Sequence, residues 1–241
     1  RIGDVELGSV SRQIQSVTSL IARDIDTFTI TSCVLRRRSQ YRLYYSTAGG
    51  AIDRAKGIIG TLTREGFEWS ETQGIQASAI VSDFSSAGVE KIFHGDKNGY
   101  VYNHDIGSSF TALGTPFNID AKYTTPFLDF GDVGTRKTMK YLKLSVSPEG
   151  TIAPILRTQF DFVDVDVAQP PDISLAGIPT PPSFGSAVFG TSLFEGTSDP
   201  MARNVLEGSG HTVSFQIRSE DQRPPYSLNG LYINYVPSGR R

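Results

Sequence analysis

Several residue types and patterns are scarce in this sequence of 241 residues. A single cysteine, Cys33, excludes an intrachain disulfide and any zinc site built mainly from cysteines of one chain. No apolar run approaches the roughly 18 residues that a membrane-spanning helix needs, so we predict no membrane span. No charged segment followed by an apolar one opens the chain, and no signal peptide is predicted.

An excess of basic residues is also missing. The 23 Lys and Arg residues are outnumbered by 25 Asp and Glu residues, which gives a formal net charge of −2. Proteins that bind nucleic acid tightly usually carry a basic surface, because phosphates attract Lys and Arg. The composition therefore argues against a generally basic nucleic-acid-binding protein.

The residues that are present indicate a globular, turn-rich protein. Hydrophobic residues make up 38% and charged residues 20%, a composition that a disordered chain does not have. The length corresponds to one large domain or two ordinary ones. Glycine, with 24 residues spread along the chain, exceeds average usage and indicates many turns.

One short helix is predicted near the N-terminus, and nearly all other segments resemble strands. The helix follows from an apolar stripe at helical spacing, with Ser9 or Ser11 as its candidate cap. The stripe consists of Val10, Ile14, Val17 and Ile21. Strands are predicted at 28–35, 40–45, 58–62, 67–70 and 77–82, the last as a buried inner strand.

The clearest hairpin covers residues 90–103. Its turn, 96–99, reads Asp-Lys-Asn-Gly, and Asn and Gly tolerate the positive φ that tight hairpin loops require. Residues 40–103 contain about two units of an antiparallel motif with aromatic-rich strands and a Gly-containing turn. Such units are typical of β-propeller blades, and a sandwich or meander is the alternative.

The composition changes after Asp105. Residues 106–116 are rich in Gly, Ser and Thr and carry no charge, so we predict a linker between blades at 1–105 and a β-rich domain at 117–241. Strands are expected there at 121–130, 139–146, 152–162, 212–218 and 228–236. Residues 169–200 are rich in Pro, Gly and Ser but contain aromatics such as Phe184 and Phe189, which favours an extended arm over a disordered linker.

The titratable residues form no convincing catalytic group. His94 and His104 flank the hairpin and are expected to approach across its strands, where a cross-strand polar pair outweighs a metal site. Residues 96–99 lack the later oxygen ligands of a calcium loop. The basic run 36–38 is interpreted as a solvated turn rather than a phosphate contact.

A carboxylate cluster at Asp161, Asp164 and Asp166 is the other candidate. A pair of carboxylates can hydrolyse glycosides, but Asp164 and Asp166 alternate with valines as on the solvated face of a strand. No nucleophile elbow, phosphate loop or zinc-binding His motif is present. We therefore expect no enzymatic activity and assign no catalytic, cofactor-binding or metal-binding residues.

Several segments, taken in order, carry a family resemblance. They are 40–45 (Gln-Tyr-Arg-Leu-Tyr-Tyr), 93–96 (Phe-His-Gly-Asp), 98–102 (Asn-Gly-Tyr-Val-Tyr), 125–127 (Thr-Pro-Phe), 136–137 (Arg-Lys), 208–210 (Gly-Ser-Gly), 213–215 (Val-Ser-Phe), 224–231 (Pro-Pro-Tyr-Ser-Leu-Asn-Gly-Leu) and Tyr235. Their order resembles the C-terminal half of the tail nozzle (tail tube, or tail tubular protein B-like) proteins of short-tailed bacteriophages, from about residue 28 to the end. His211 and Thr212 stand where the family has an Arg-Asn type pair.

The resemblance implies an all-β protein with propeller blades, incomplete in this chain, followed by a β-rich, sandwich-like platform domain. It implies a homo-oligomeric ring in the virion tail, typically a hexamer, below the portal and adaptor proteins and bearing fibres or spikes. Double-stranded DNA passes through the lumen, and near-neutral composition suits passage without tight binding. The arm at 169–200 would then contact a neighbouring subunit or partner.

The sequence begins with Arg1 and not with an initiator Met, and the same resemblance bears on this. A stable propeller has at least about four blades. The remaining blades would come from sequence before Arg1 or from another chain, so we expect Arg1 to be a cleavage site or a renumbered start. Intact-mass measurement of the chain from its source particle tests this.

Two other classes remain open. One is a carbohydrate-binding or carbohydrate-hydrolysing tail spike or lectin-type domain, in which Trp69 or a set of tyrosines lies near Asp161 or Asp164. The tyrosines are Tyr41, Tyr44 and Tyr45. The other is a peptide-binding propeller scaffold of the cellular type.

Overall fold

The computed structural model describes residues 12–47, 55–107, 110–112, 115–175 and 201–240. These residues form mostly β-strands in several antiparallel sheets with little helix, which confirms the all-β prediction. The chain divides into two compact units, Arg1–Ile106 and Gly107–Arg241. Within the described ranges, none of the helices has the length and apolar character to cross a membrane.

The predicted N-terminal helix is present. After a 3-10 turn at Arg12–Ile14, helix α1 covers Gln15–Arg23, and a second 3-10 turn follows at Ile25–Thr27. Ile14 occupies the N-cap position and is buried, whereas α1 itself buries no residue. The candidate caps at positions 9 and 11 lie outside the described residues.

The first unit contains two antiparallel meanders. Their strands are β1 (Phe28–Leu35), β2 (Gln40–Thr47), β3 (Lys56–Thr63), β4 (Gly66–Gln73), β5 (Ala79–Phe84), β6 (Glu90–Gly95) and β7 (Val101–Asn103). Strands β1 to β4 form a four-stranded sheet in sequence order, and β5 to β7 form a three-stranded sheet in the same manner. Strands β1 and β5 lie beside each other, and the Ser82 hydroxyl donates to the Val34 carbonyl at 2.6 Å.

Local sequence accounts for the 90–103 hairpin, which is confirmed. The Asp96 carboxylate accepts the backbone N–H groups of Asn98 and Tyr100 at 2.8 and 2.9 Å, and Gly99 has a φ of 87°. An Asp that binds the backbone of its own turn stabilises the reversal. The buried inner strand predicted at 77–82 is wrong, because β5 forms the edge of its sheet and exposes Val81.

Large side chains from several strands form the core of the first unit. Tyr44, Leu35, Ile58 and Ile92 are buried there. Gly57 makes room for the Tyr44 ring: a Cβ at this position would lie 2.7 Å from Tyr44 Cδ1 and 2.8 Å from the Leu43 carbonyl oxygen. The central strand β3 therefore needs glycine at this point.

The second unit is built from ten strands in the described residues. They are β8 (Phe110–Ala112), β9 (Thr115–Phe117), β10 (Ile119–Thr124), β11 (Thr135–Pro148), β12 (Ile155–Phe160), β13 (Ile173–Ser174), β14 (Met201–Val205), β15 (Ser209–Gly210), β16 (Val213–Asp221) and β17 (Tyr226–Arg240). One sheet has the order β10-β16-β12-β13. In the other, β11 pairs with β17 on one side and with β14 and β15 on the other.

Side chains from both sheets form one hydrophobic core cluster. Leu142 and Leu144 of β11 are fully buried in it with Phe160 of β12 and Phe215 of β16. The alternating burial of β12, with every second residue inward, is the pattern of a strand that packs on one face. The strands predicted around 121–130, 139–146, 152–162, 212–218 and 228–236 all correspond to strands of these sheets, with shifted ends.

Several short elements differ from the prediction. The segment predicted as a linker at 106–116 contains β8 and the start of β9, which pair as a hairpin. Strand β12 ends at Phe160, and residues after it turn rather than extend. Ser209–Gly210 pairs with β11 as strand β15. Of the predicted arm, residues 169–175 are described and include β13, and 176–200 lie outside the described residues.

The packing around Gly57 predicts a stability loss in the first unit. Gly57→Ala should lower the free energy of unfolding by about 2 kcal/mol, because the added methyl group overlaps the Tyr44 ring and a backbone carbonyl. Urea unfolding followed by Trp69 fluorescence measures this, since Trp69 is the only tryptophan and lies in the first unit. Gly95→Ala is the matched control, as its Cβ would approach nothing closer than 4.0 Å. Equal effects of the two variants would contradict the packing argument.

Candidate functional site

The two histidines of the hairpin meet, as predicted. His94 Nδ1 lies 2.6 Å from His104 Nε2, and the rings are in edge-to-face contact. The His94 ring stacks on Tyr102, and the His104 ring meets the edge of Tyr44. One ring nitrogen of the pair must accept and the other donate, so the contact requires at least one neutral imidazole.

An ion pair between the buried Arg42 and the more exposed Asp105 lies next to the histidines. The Arg42 guanidinium donates to both carboxylate oxygens of Asp105, at 3.1 and 2.9 Å, and also to the side-chain carbonyl of Gln40. The Arg42 side chain is only 6% exposed, whereas Arg38, which binds the same carboxylate at 2.8 Å, is 55% exposed. Asp105 has a φ of 58°, a conformation that Asp tolerates better than most residues. The carboxylate thus fixes the end of β7 to β2.

Burial and charge shift the pKa values of these groups. Burial lowers the pKa of His94. Burial, together with the neighbouring His94 and the Arg42 charge, lowers the pKa of His104 to about 4. Burial alone would raise the pKa of Asp105, but the Arg42 hydrogen bonds and charge outweigh burial and lower it. At neutral pH the cluster therefore holds neutral imidazoles beside an Arg–carboxylate pair.

This arrangement is structural in character. The described residues contain no group of three or more His, Cys, Asp or Glu that is placed to hold a metal ion. The 2.6 Å contact between the two ring nitrogens is a hydrogen bond with no room for an ion between them. Sequence reasoning found both histidines but missed Arg42 and Asp105, because their pairing joins distant parts of the chain.

The basic run 36–38 lies in the turn between β1 and β2, and its residues are exposed, as predicted. The backbone N–H groups of Arg36 and Arg37 each donate to the Glu90 carboxylate at 2.9 Å. The hydrogen bond from the Arg37 N–H contributes most to lowering the pKa of Glu90, and the bond from the Arg36 N–H adds to it. The turn is therefore bound to the start of β6 through its backbone.

The carboxylates at 161–166 do not form a catalytic pair on a strand. Asp161 has a positive φ, and its carboxylate accepts the backbone N–H groups of His211 and Thr212, both at 2.8 Å. Asp164 and Asp166 are exposed in the turn that follows, so their assignment to the solvated face of a strand is wrong. Asp161 is committed to holding a loop rather than to a substrate.

Two of the four aromatic residues proposed for a carbohydrate surface are core residues, and Tyr41 and Trp69 are half-buried. Tyr44 and Tyr45 are buried, and burial raises the pKa of the Tyr44 phenol to about 12. Trp69 stacks on Phe67 at 5.5 Å between ring centroids. All of these residues belong to the first unit, whereas Asp161 and Asp164 belong to the second.

Comparison with known proteins adds no family assignment. No protein-family model matches this chain, and no curated protein matches its sequence.

The histidine pair predicts a pH-dependent stability of the first unit. Because the folded-state pKa values lie below that of free histidine, the unfolded chain binds protons first as the pH falls. Stabilisation that is fully present above about pH 6.5 is therefore lost toward pH 4, on the order of 2 kcal/mol. Urea unfolding followed by Trp69 fluorescence across this range measures the loss.

His104→Gln should flatten this pH dependence, since glutamine keeps polar contacts without titrating. His211→Gln, in the second unit, is the control and should leave the slope unchanged. A slope that is identical in the wild type and in His104→Gln would contradict the role of the pair.

The Asp105 carboxylate binds Arg42 and Arg38, and we expect these two contacts to contribute unequally to stability. Asp105→Asn should lower the free energy of unfolding by about 2 kcal/mol, because it leaves the buried Arg42 guanidinium without its counter-charge. Arg38→Ala removes an exposed contact with the same carboxylate and should cost less than about 1 kcal/mol. Chemical unfolding of both variants at pH 7 tests the difference, and a larger loss for Arg38→Ala would refute it.

Proposed function

We propose that this chain is a structural virion protein, a subunit of the ring-shaped tail nozzle of a short-tailed bacteriophage. In this role it lines a conduit for double-stranded DNA during ejection and anchors fibres or spikes, without enzymatic activity. The proposal rests on the ordered motifs that resemble the nozzle family and, above all, on the pair of meander sheets in the first unit.

The two meander sheets support the interpretation of the first unit as propeller blades. Propeller blades are four-stranded antiparallel sheets arranged around a central channel. The first unit has one complete four-stranded meander and a three-stranded one, and their first strands, β1 and β5, lie beside each other. Successive blades of a propeller likewise place their first strands beside each other around the channel. The described residues of this unit form fewer sheets than a closed propeller needs.

Exposed apolar side chains on the second meander support assembly with another sheet. Val81 of β5 lies directly opposite Phe93 of β6, and both are exposed, as is Val101 of β7. An apolar patch of this kind on a soluble protein marks an interaction surface. A neighbouring blade would cover this face.

The second unit supports a sandwich-like platform domain. Its two sheets share one core, and motif residues of the nozzle resemblance hold that core together. The buried Lys137 ammonium donates to the backbone carbonyls of Asp132 and His211. Arg136 donates from Nε to the Ser209 hydroxyl at 2.9 Å, which joins the motif at 136–137 to the motif at 208–210.

The carbohydrate-binding alternative has less support. It needs exposed aromatic rings beside carboxylates, and Tyr44 and Tyr45 are buried instead. Specific binding of the purified chain to a glycan microarray would favour this alternative over the nozzle proposal.

Electron microscopy and mass measurement of the purified chain test the proposal. We expect rings of several copies, typically six, with a central channel. We also expect no binding of duplex DNA at micromolar protein concentration in physiological salt, because the net charge of the chain is −2. Val81→Glu should disrupt the assembly and leave folding intact, since Val81 is exposed. Val133→Glu, at an exposed site of the second unit, is the control. A monomer at every concentration, or tight DNA binding, would contradict the proposal.

A further inference from the structure

A strained loop projects from the second unit directly after β12. Asp161, Phe162 and Val163 are three consecutive non-glycine residues with φ values of 47°, 57° and 63°. Left-handed backbone is uncommon outside glycine and is a genuine outlier for a β-branched residue such as valine. Each such residue costs about 1–3 kcal/mol and persists only where the surroundings enforce it.

The surroundings do enforce it. The Asp161 carboxylate binds the backbone N–H groups of His211 and Thr212. The Gln169 amide accepts the Phe160 N–H at 2.8 Å and donates to the Phe160 carbonyl at 3.2 Å. Gly208 and Gly210 lie against the Phe160 ring so closely that a Cβ on either would approach ring atoms to 2.5 and 2.8 Å. The loop therefore stands on a rigid base.

This rigid loop displays apolar side chains to solvent. Val165 is 96% exposed and Phe162 is 73% exposed, and Val163 between them is exposed as well. The Phe162 ring rests against Phe127, with 4.5 Å between centroids, which limits its freedom before binding. Strained backbone that presents apolar side chains in a fixed position is expected at a site of interaction. We name residues 161–166 the apolar loop.

The same unit contains an apolar pocket of about 310 Å³. It opens between β10, β16 and the start of β17, and residues from all three line it. Its apolar lining includes Ile119, Ala121, Tyr123, Ile152, Ile217 and Leu228. Pockets of this size and character take up aromatic and aliphatic groups.

The apolar loop and the pocket lie toward opposite ends of one strand. Phe160, which leads into the loop, pairs with Val213 at the start of β16. Ile217 and Asp221, which line the pocket, lie four to eight residues further along β16, roughly 13 to 26 Å away at the strand rise. The loop is held at its base, so it cannot fill the pocket of its own copy. Two complementary patches at opposite ends of a unit favour a head-to-tail contact between copies.

The pocket also offers cations that the carboxylates of the loop can pair with. The apolar loop carries the exposed carboxylates of Asp164 and Asp166. The pocket is lined by Lys122 and Arg223 and by one carboxylate, Asp221, which pairs with Arg223 at 3.4 Å. Lys122 likewise pairs with Asp120 at 2.7 Å. Both pairs are partly exposed and contribute little, so Lys122 and Arg223 can exchange partners for the carboxylates of an incoming loop.

We propose that the apolar loop of one copy of this chain inserts into the pocket of the next copy, head to tail. Phe162 and Val165 enter the pocket, and Asp164 and Asp166 face its basic rim. The contact deepens the proposed function, on whose ring it rests, by assigning a subunit contact to the second unit. A head-to-tail contact closes into a ring when its rotation allows closure and otherwise forms a filament.

Disulfide trapping tests the contact directly. In a Cys33→Ser background, Val165→Cys places a thiol on the loop and Ala121→Cys places one in the pocket. A mixture of the two single variants should give a disulfide-linked dimer, and the double variant should give a ladder of oligomers. Proximity in the docked contact should raise the yield about tenfold or more above that of Val205→Cys paired with Ala121→Cys, an exposed control in the same unit.

Two results would overturn the contact. One is a yield no higher than the Val205→Cys control. The other is Val165→Cys alone forming as much dimer as the mixture, which would mean that loops meet each other about a two-fold axis.

A variant that introduces a charge separates this contact from the ring itself. Val165→Lys should abolish head-to-tail association with unchanged circular dichroism, because Val165 is almost fully exposed, and Val205→Lys should not. If rings persist in Val165→Lys, the contact is refuted and the nozzle proposal stands. If disulfide trapping succeeds but the chain forms only filaments, the contact stands and the ring proposal fails.

Discussion

The pairing of β11 with β17 is the interaction on which the second unit depends. It joins Thr135–Pro148 to Tyr226–Arg240 over nearly their whole length, across a long intervening chain. Closing so long a loop is costly in entropy, and the core behind the ribbon compensates by burying Leu142, Leu144 and Val146 completely. The strands between them pair with β11 on its other side or form the facing sheet. Three irregularities in the ribbon's register let these long strands twist around the shared core.

Polar groups in the first unit determine how its hairpin is placed more than they contribute to the free energy of folding. The Arg42–Asp105 pair and the two histidines are tied to the hairpin that ends the second meander. Other placements of the hairpin against β2 would leave the buried Arg42 guanidinium without its counter-charge, so the ion pair disfavours them.

Backbone strain in the second unit is placed where the motif-bearing segments converge. The Asp161 carboxylate, the Phe160 ring and the glycines at 208 and 210 form one assembly, and Lys137 binds the adjacent His211 carbonyl. Residues of the segments that carry the nozzle resemblance thus form the base of this loop.

Local sequence determined the strands and the tight turns. The pattern of β-branched and aromatic residues predicted most of the strands, and β1 was predicted with both ends correct. Asp96 and Gly99 specify the 90–103 hairpin, because the Asp96 carboxylate binds backbone groups within four residues of it. The tertiary structure decided what depends on distant partners. Residues after Phe160 have the alternating pattern of a strand, but backbone donors at 211 and 212 capture Asp161 and turn the chain. Likewise the small, apolar segment 77–82 suits a buried strand, yet β5 lies at the edge of its sheet, and Val81 lies with Phe93 of β6 on an exposed face. Periodicity records which face a residue prefers, and it carries no information about which long-range hydrogen bonds or neighbours claim it.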